Sequence, residues 1–124
     1  MKRPVKPTEV ELKLLRILWE LGPATVKEVH AYLSRREDYA YTGVLRMFQV
    51  MLEKGLVTRD ESQRSHVYAP AQSRAATEGG LVADLTERLF GGSAAALVLA
   101  ALRSGSVSPE EKNRIREMLG GEER

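Results

Sequence analysis

Two polar side chains and one aliphatic side chain lie close together at the spacing of a single helix face. Arg46 and Gln49 are three positions apart and Val50 follows directly, so a helix through them presents all three on one side. An arginine fork fits the O6 and N7 acceptors of guanine, glutamine can pair with adenine, and an aliphatic side chain can contact the thymine methyl group. These residue types in this pattern point to a helix that reads base edges in the major groove of DNA.

The residues around this face add candidate contacts to phosphate. Thr42 and Gly43 open the predicted helix, where free backbone amides and the helix dipole favour an anion, and Thr42 is expected to cap the helix. Arg64 lies in a polar turn further along the chain, where it can meet the DNA backbone or the minor groove. Lys6 and Lys13 are further candidates for phosphate contacts. The expected DNA-binding residues are therefore Thr42, Gly43, Arg46, Gln49, Val50, Arg64, Lys6 and Lys13.

Two earlier helices are predicted to support the reading helix. Thr8 with Glu11, and Thr25 with Glu28, each have the spacing of a capping box, in which a threonine caps the helix and a glutamate reaches back to the cap. Apolar residues at helical spacing follow both boxes. The first helix is expected to end at Gly22, because glycine followed by proline stops a helix.

The reading helix itself is predicted at about residues 42–54, with Gly55 as its left-handed end. After it the apolar period changes to two, so residues 56–59 and 65–68 are predicted to form two short strands joined by a polar turn. Three helices closed by a hairpin form a winged helix-turn-helix domain, with its wing at about residues 57–69.

The rest of the chain predicts three more helices, one at roughly residues 72–90 and two that begin after Ser93 and Ser108. About fifty residues are too few to close a good core alone, so we expect their apolar stripes to meet a second copy of the chain. The expected fold is thus mainly α with a small β-hairpin: a DNA-binding domain at 1–70 and a helical dimerisation domain at 71–124. The expected dimerisation residues are Leu85, Leu89, Leu97, Val98, Leu102, Ile115 and Leu119.

Composition excludes several classes of function. The 124 residues are 43% hydrophobic and 29% charged, which is typical of a globular protein. The chain has no cysteine, which removes disulfides, thiolate metal sites and a cysteine nucleophile. His30 and His66 have no partner at ligand or catalytic spacing, so we expect no enzyme, metal or cofactor. No apolar run approaches the roughly 18–20 residues of a membrane span and no signal region is visible, so we expect a cytoplasmic protein.

The net charge of +2 is unevenly distributed. Residues 1–69 hold twelve basic and nine acidic side chains, whereas residues 70–124 hold seven and eight. The segment 42–69 carries only one net positive charge. Charge therefore leaves an alternative open, in which the winged helix is a protein–protein docking module that does not bind DNA.

A set of motifs in fixed order covers nearly the whole chain. A Lys-Gly-Leu-Val run begins at Lys54, an Arg-Ser-His-Val-Tyr run begins at Arg64, and a Ser-Pro-Glu-Glu run begins at Ser108. In this order and spacing the chain resembles the penicillinase-repressor family of bacterial transcription regulators (BlaI/MecI/CopY-like). The resemblance implies a homodimeric repressor with its N-terminal winged helices on a pseudo-palindromic operator and its C-terminal helices interlocked.

The chain departs from this family at positions that matter for specificity and induction. The usual threonine two positions after the recognition-helix valine is Arg46 here, so the family's operator sequence does not carry over. Members that respond to β-lactams are cut at an Asn–Phe bond by a membrane sensor-protease, but no Asn–Phe pair occurs in this sequence, whose matching place is near Ala100. Copper-responsive members bind metal through C-terminal cysteines, which this chain lacks.

Overall fold

The structure, a computed structural model, describes residues 6–120. The described chain is mainly helical with one small antiparallel sheet, which confirms the predicted fold class. Its elements are, in chain order, α1 (Glu9–Leu21), β1 (Ala24–Thr25), α2 (Val26–Ser34), α3 (Tyr41–Lys54), β2 (Val57–Asp60), β3 (Val67–Pro70), α4 (Arg74–Leu89), α5 (Ala94–Arg103) and α6 (Pro109–Met118).

Local capping sets the start of most helices. Thr8 and Thr25 accept hydrogen bonds from the backbone amides of Glu11 and Glu28, and both glutamates bond back to the amide of the capping threonine. Both predicted capping boxes are therefore confirmed. Ser108 forms a third box at the start of α6, as its sequence indicates.

The start of α3 differs from the prediction. The helix begins at Tyr41, and its N-cap is Ala40, which has no side chain that can accept a hydrogen bond. Thr42 is the second residue of the helix, so the expectation that it caps the helix is wrong. The end of α3 is as predicted, because Gly55 adopts a left-handed conformation with φ 81°.

The sheet has three strands, whereas the sequence predicts two. Its order is β1-β3-β2, with both pairs antiparallel. The extra strand, β1, is only two residues long, too short to show an alternating pattern. The wing strands also begin one and two residues later than predicted. Leu56 lies just beyond α3 and is bonded to its last turn, because its amide donates to the carbonyl of Met51. Strand β2 starts at the next residue.

The hydrophobic core joins α3 to the helices before it and to the sheet after it. Leu14 and Leu18 from α1, Val29 from α2, and Phe48 from α3 are fully buried. The ring of Phe48 lies 4.9 Å from that of Tyr68 in β3, measured between centroids. The central strand of the wing is thereby packed against the middle of the reading helix.

An ion pair fixes the other end of α3 to α1. Lys54 Nζ, in the last turn of α3, donates to Glu11 Oε2 at 2.7 Å. Glu11 is only 6% exposed, and burial alone would raise its pKa. The hydrogen bonds from Lys54 and from the Thr8 amide outweigh burial and hold the pKa of Glu11 below its ordinary value.

The chain divides into two compact units, Met1–Gly79 and Gly80–Arg124. The division falls within α4, beyond the boundary expected at residue 70. Every buried hydrophobic residue in the described chain lies in the first unit, between Leu14 and Tyr68. In residues 6–120 no single helix is long and apolar enough to cross a membrane, although α4 and α5, bent at the break between them, pass a test of length and composition as a pair.

We expect the pair between Glu11 and Lys54 to contribute pH-dependent stability. A lowered carboxyl pKa gives stability that is fully present above the unfolded value of 4.5 and is lost as the pH falls through the lowered pKa. Glu11→Gln should lower the free energy of unfolding by about 1–2 kcal/mol at neutral pH. Urea denaturation of both proteins from neutral to acidic pH should show this difference shrinking.

The matched control is Glu9→Gln, because Glu9 is an exposed acidic residue in the same first turn of α1. It should change stability much less. A difference between wild type and Glu11→Gln that stays constant at every pH would contradict the assigned role of the carboxylate charge.

Candidate nucleic-acid interface

Helix α3 has one buried face and one exposed face. Val44, Phe48 and Met51 are fully buried against the core, which leaves the opposite side of the helix open to solvent. Arg46 and Gln49 are exposed on that side. The structure therefore places these two predicted base-reading residues on one exposed helix face, together with Thr42, Gly43 and the half-buried Val50.

Gly43 has no steric explanation within the described chain. Its φ is not positive, and a Cβ atom built there would meet nothing within 4 Å. Glycine costs a helix roughly 0.5–1 kcal/mol relative to alanine. A reason for its presence is therefore best sought outside the chain, in the close approach of another molecule to the backbone.

The first turn of α3 also lacks the side-chain cap found on the other helices. Five of the six helices in residues 6–120 have a serine or threonine whose hydroxyl accepts a bond from a first-turn amide, and among these six only α3 has alanine at this place. The first-turn amides of α3 therefore have no side-chain acceptor. Unsatisfied amides at a helix start form a favourable environment for a phosphate group.

The wing contributes one open arginine. Arg64 lies in the exposed turn between β2 and β3. Arg59, which lies in β2, is instead paired within the wing, because it donates to the Glu61 carboxylate and to the Tyr68 hydroxyl. Neither Arg64 nor Arg46 takes part in a hydrogen bond or ion pair with residues 6–120.

The two lysines expected to bind phosphate differ in their surroundings. Lys6 is exposed at the start of the described chain. Lys13 Nζ lies 2.8 Å from both carboxylate oxygens of Glu37, and this hydrogen bonding lowers the pKa of Glu37. A lysine that is already paired with a carboxylate offers less charge to a phosphate, which weakens Lys13 as a candidate.

Three residues at the turn between α2 and α3 were missed by the sequence analysis. His30 Nε2 lies 2.8 Å from the carbonyl oxygen of Tyr39, and its ring makes an edge-to-face contact with Tyr41. These contacts cross a turn of six residues, so no helical or strand period reveals them. No cluster of three or more histidine, aspartate or glutamate side chains suited to a metal is found among residues 6–120.

The predicted dimerisation residues lie in the second unit. Within the described part of one chain each of them is either exposed or half-buried. Leu89 is the most exposed residue of α4 among them, at 67%, and Leu119 beyond α6 reaches 81%. Val98 and Leu85 are also exposed, and Leu97, Leu102 and Ile115 are half-buried.

A helix with an exposed polar face, packed on two earlier helices and followed by a hairpin in a three-stranded sheet, is typical of the winged helix-turn-helix class. A family model for the penicillinase repressor matches residues 7–121. The chain belongs to the penicillinase repressor family.

Two relatives illustrate this membership. The chain is similar to the transcriptional regulator BlaI of Mycobacterium tuberculosis, with 38% identity over 77 residues, which are 61% of this chain and 56% of the relative. The match thus spans little more than half the length of that protein. The penicillinase repressor of Bacillus licheniformis is 22% identical over 119 residues, 96% of this chain and 93% of the relative.

Two solved structures share the fold. One is the solution structure of the DNA-binding domain of the repressor BlaI, with a TM-score of 0.53 and 21% identity. The other is the monomeric form of Bacillus licheniformis BlaI in complex with the blaP half-operator, with a TM-score of 0.52 and 21% identity. Each similarity covers 60% of this chain and 92% of the solved chain.

Proposed function

We propose that this protein is a transcriptional repressor that binds a pseudo-palindromic DNA operator as a homodimer. The observation that carries the proposal is the exposed face of α3, which presents Arg46 and Gln49 opposite a fully buried stripe. The family membership supports it, and so does the shared fold with a relative whose structure was determined on a half-operator.

In this proposal α3 lies in the major groove with its first turn toward the DNA backbone. The uncapped amides of the first turn bind a phosphate, which fixes the register of the helix without specifying sequence. Arg46 then pairs with a guanine, Gln49 with an adenine, and Val50 contacts a thymine methyl group. Thr42 adds a hydroxyl donor next to the phosphate.

The wing supplies the second point of contact. Arg64 at the turn between β2 and β3 meets the backbone or the minor groove beside the reading helix. Lys13, Lys54 and Arg59 are paired within the chain, which lowers the charge that this unit offers to phosphate. Nonspecific binding should therefore be modest and salt-dependent.

A second copy of the chain completes the molecule. Apolar side chains of the second unit, including Leu85, Leu89 and Val98, are exposed within the described part of one chain. Packing them against the same residues of a second copy removes apolar surface from water. The twofold dimer then places two reading helices on half-sites one or more helical turns apart, each turn being about 10 base pairs.

The remaining parts of the proposal concern compartment and regulation. We propose a cytoplasmic protein without enzymatic activity or an obligatory cofactor. The sequence has no Asn–Phe pair, so the proposal includes no cleavage at such a pair by a membrane sensor-protease.

Selection of bound fragments from a random DNA pool tests the proposal directly. The purified protein should enrich a sequence with two inverted half-sites. No enrichment at low or at moderate salt would contradict DNA binding and would favour the docking module that the sequence leaves open.

We expect Arg46→Ala to weaken binding to the selected operator by about 1–3 kcal/mol and to relax base preference at one position of each half-site. The cause is the loss of a bidentate contact to a base. Titration of labelled operators that vary at each position measures both effects. Arg103→Ala is the control, because Arg103 is an exposed arginine in α5, outside the winged-helix unit. Unchanged affinity and base preference in Arg46→Ala would remove Arg46 from the interface.

For Gly43→Ala we expect stability and binding to change in opposite directions. The new methyl group meets nothing in the protein, so the free energy of unfolding should rise by about 0.5–1 kcal/mol. Operator affinity should fall, because the methyl group stands between the backbone and the DNA. Gly79→Ala is the matched control, a helical glycine with equally open space, and it should stabilise without weakening binding. Operator affinity that does not fall in Gly43→Ala would contradict the close approach.

Sedimentation should show a dimer at micromolar concentration, and Leu89→Glu should shift it toward monomer. A charged side chain at this position would have to be desolvated in the apolar dimer contact, whereas in one chain Leu89 is already exposed. The control is Leu21→Glu, since Leu21 is an exposed leucine of the first unit. A wild-type monomer that binds the palindrome sharply at this concentration would disprove the dimer.

A further inference from the structure

The start of the reading helix is held by side chains of other helices. Ala40, the N-cap of α3, offers no side-chain acceptor, so local sequence does not fix where the helix begins or which way its first turn points. The residues on either side of Ala40 are instead contacted by a side chain of another helix. Tyr39 and Tyr41 both contact His30, which belongs to α2.

His30 makes two different contacts across the turn. Its Nε2 lies 2.8 Å from the Tyr39 carbonyl oxygen, and a carbonyl only accepts, so Nε2 carries the proton and donates it. Its ring meets the Tyr41 ring edge to face, with centroids 5.6 Å apart and planes at 83°. The hydroxyl of Ser34 lies 3.3 Å from the same nitrogen. One imidazole thus fixes both the residue before the N-cap and the first residue of α3.

Helix α1 holds the same turn from another direction. Lys13 lies over the Tyr39 ring, with its Nζ 5.7 Å from the centroid, and pairs with Glu37 two residues earlier. Most of these groups are charged and exposed, so their net contribution is small. The half-buried His30, in contrast, contacts the residues on both sides of Ala40.

We propose that His30 is a positioning residue for DNA binding, one that aims the uncapped first turn of α3 at a phosphate and so sets the register of Arg46 and Gln49. This inference rests on the proposed function. His30 does not itself contact DNA in this account. It acts through the Tyr39 carbonyl and the Tyr41 ring, in place of the serine or threonine cap that the other helices have.

Three substitutions separate the two contacts of His30. His30→Ala removes both, His30→Phe keeps a ring beside Tyr41 without the hydrogen bond, and His30→Gln keeps an N–H donor at comparable reach without the ring. We expect His30→Ala to weaken operator binding about tenfold and to reduce the slope of log affinity against log salt by about 1, the signature of one lost phosphate contact. His30→Gln should restore most of both quantities, and His30→Phe should restore less.

A general loss of folding stability would produce a different pattern. Val29→Ala is the control, because Val29 is fully buried in the same helix and its truncation lowers the melting temperature while keeping both side-chain contacts of His30. Affinities are measured by titration at a temperature at which every variant is folded, as judged by circular dichroism. Val29→Ala should then bind with wild-type affinity and salt slope.

Each result bears on one proposal. Wild-type affinity and salt slope in His30→Ala would overturn the positioning role, and so would equal losses in His30→Ala, His30→Phe and His30→Gln. A fall in affinity for Val29→Ala equal to that for His30→Ala would reduce the role of His30 to stability alone. A wild-type protein that selects no DNA at all would instead contradict the proposed function.

Discussion

The contact between Phe48 and Tyr68 is the constraint on which the first unit depends. Phe48 is the centre of the buried stripe of α3, and Tyr68 lies in the central strand of the sheet, between β1 and β2. Because the two rings pack at 4.9 Å, the helix and the wing cannot shift independently. The same packing fixes the rotation of α3 about its own axis, so burying Phe48 is what leaves Arg46 and Gln49 outside.

Part of the charge in this unit is used inside the protein. Lys54 forms an ion pair with Glu11, Lys13 with Glu37, and Arg59 with Glu61. These pairs join elements or stiffen the wing, and they lower the charge available to an external polyanion. For the proposed repressor this arrangement favours recognition by shape and by a few side chains over binding through a dense basic patch.

The sequence predicted the elements that depend on local chemistry and missed those that depend on tertiary contacts. Capping boxes at Thr8 and Thr25 act within four residues, so their helices begin where the sequence indicates. The exposed face of α3 follows from helical spacing alone, although its role in binding remains a prediction. The start of α3 could not be predicted, because no side chain caps it and the contacts of His30 with Tyr39 and Tyr41 lie across a turn. Strand β1 is likewise defined only by its pairing with β3, which lies more than forty residues away.

The two units differ in how their folding is stabilised. The first has a core that closes within one chain, from Leu14 to Tyr68. The described part of the second has helices with strong caps, such as the box at Ser108, but no buried hydrophobic residue. Caps contribute only about 1 kcal/mol each, too little to offset the entropy of ordering three helices. In the proposed dimer the second unit would therefore gain its stability from association, which would tie its folding to the pairing of two reading helices.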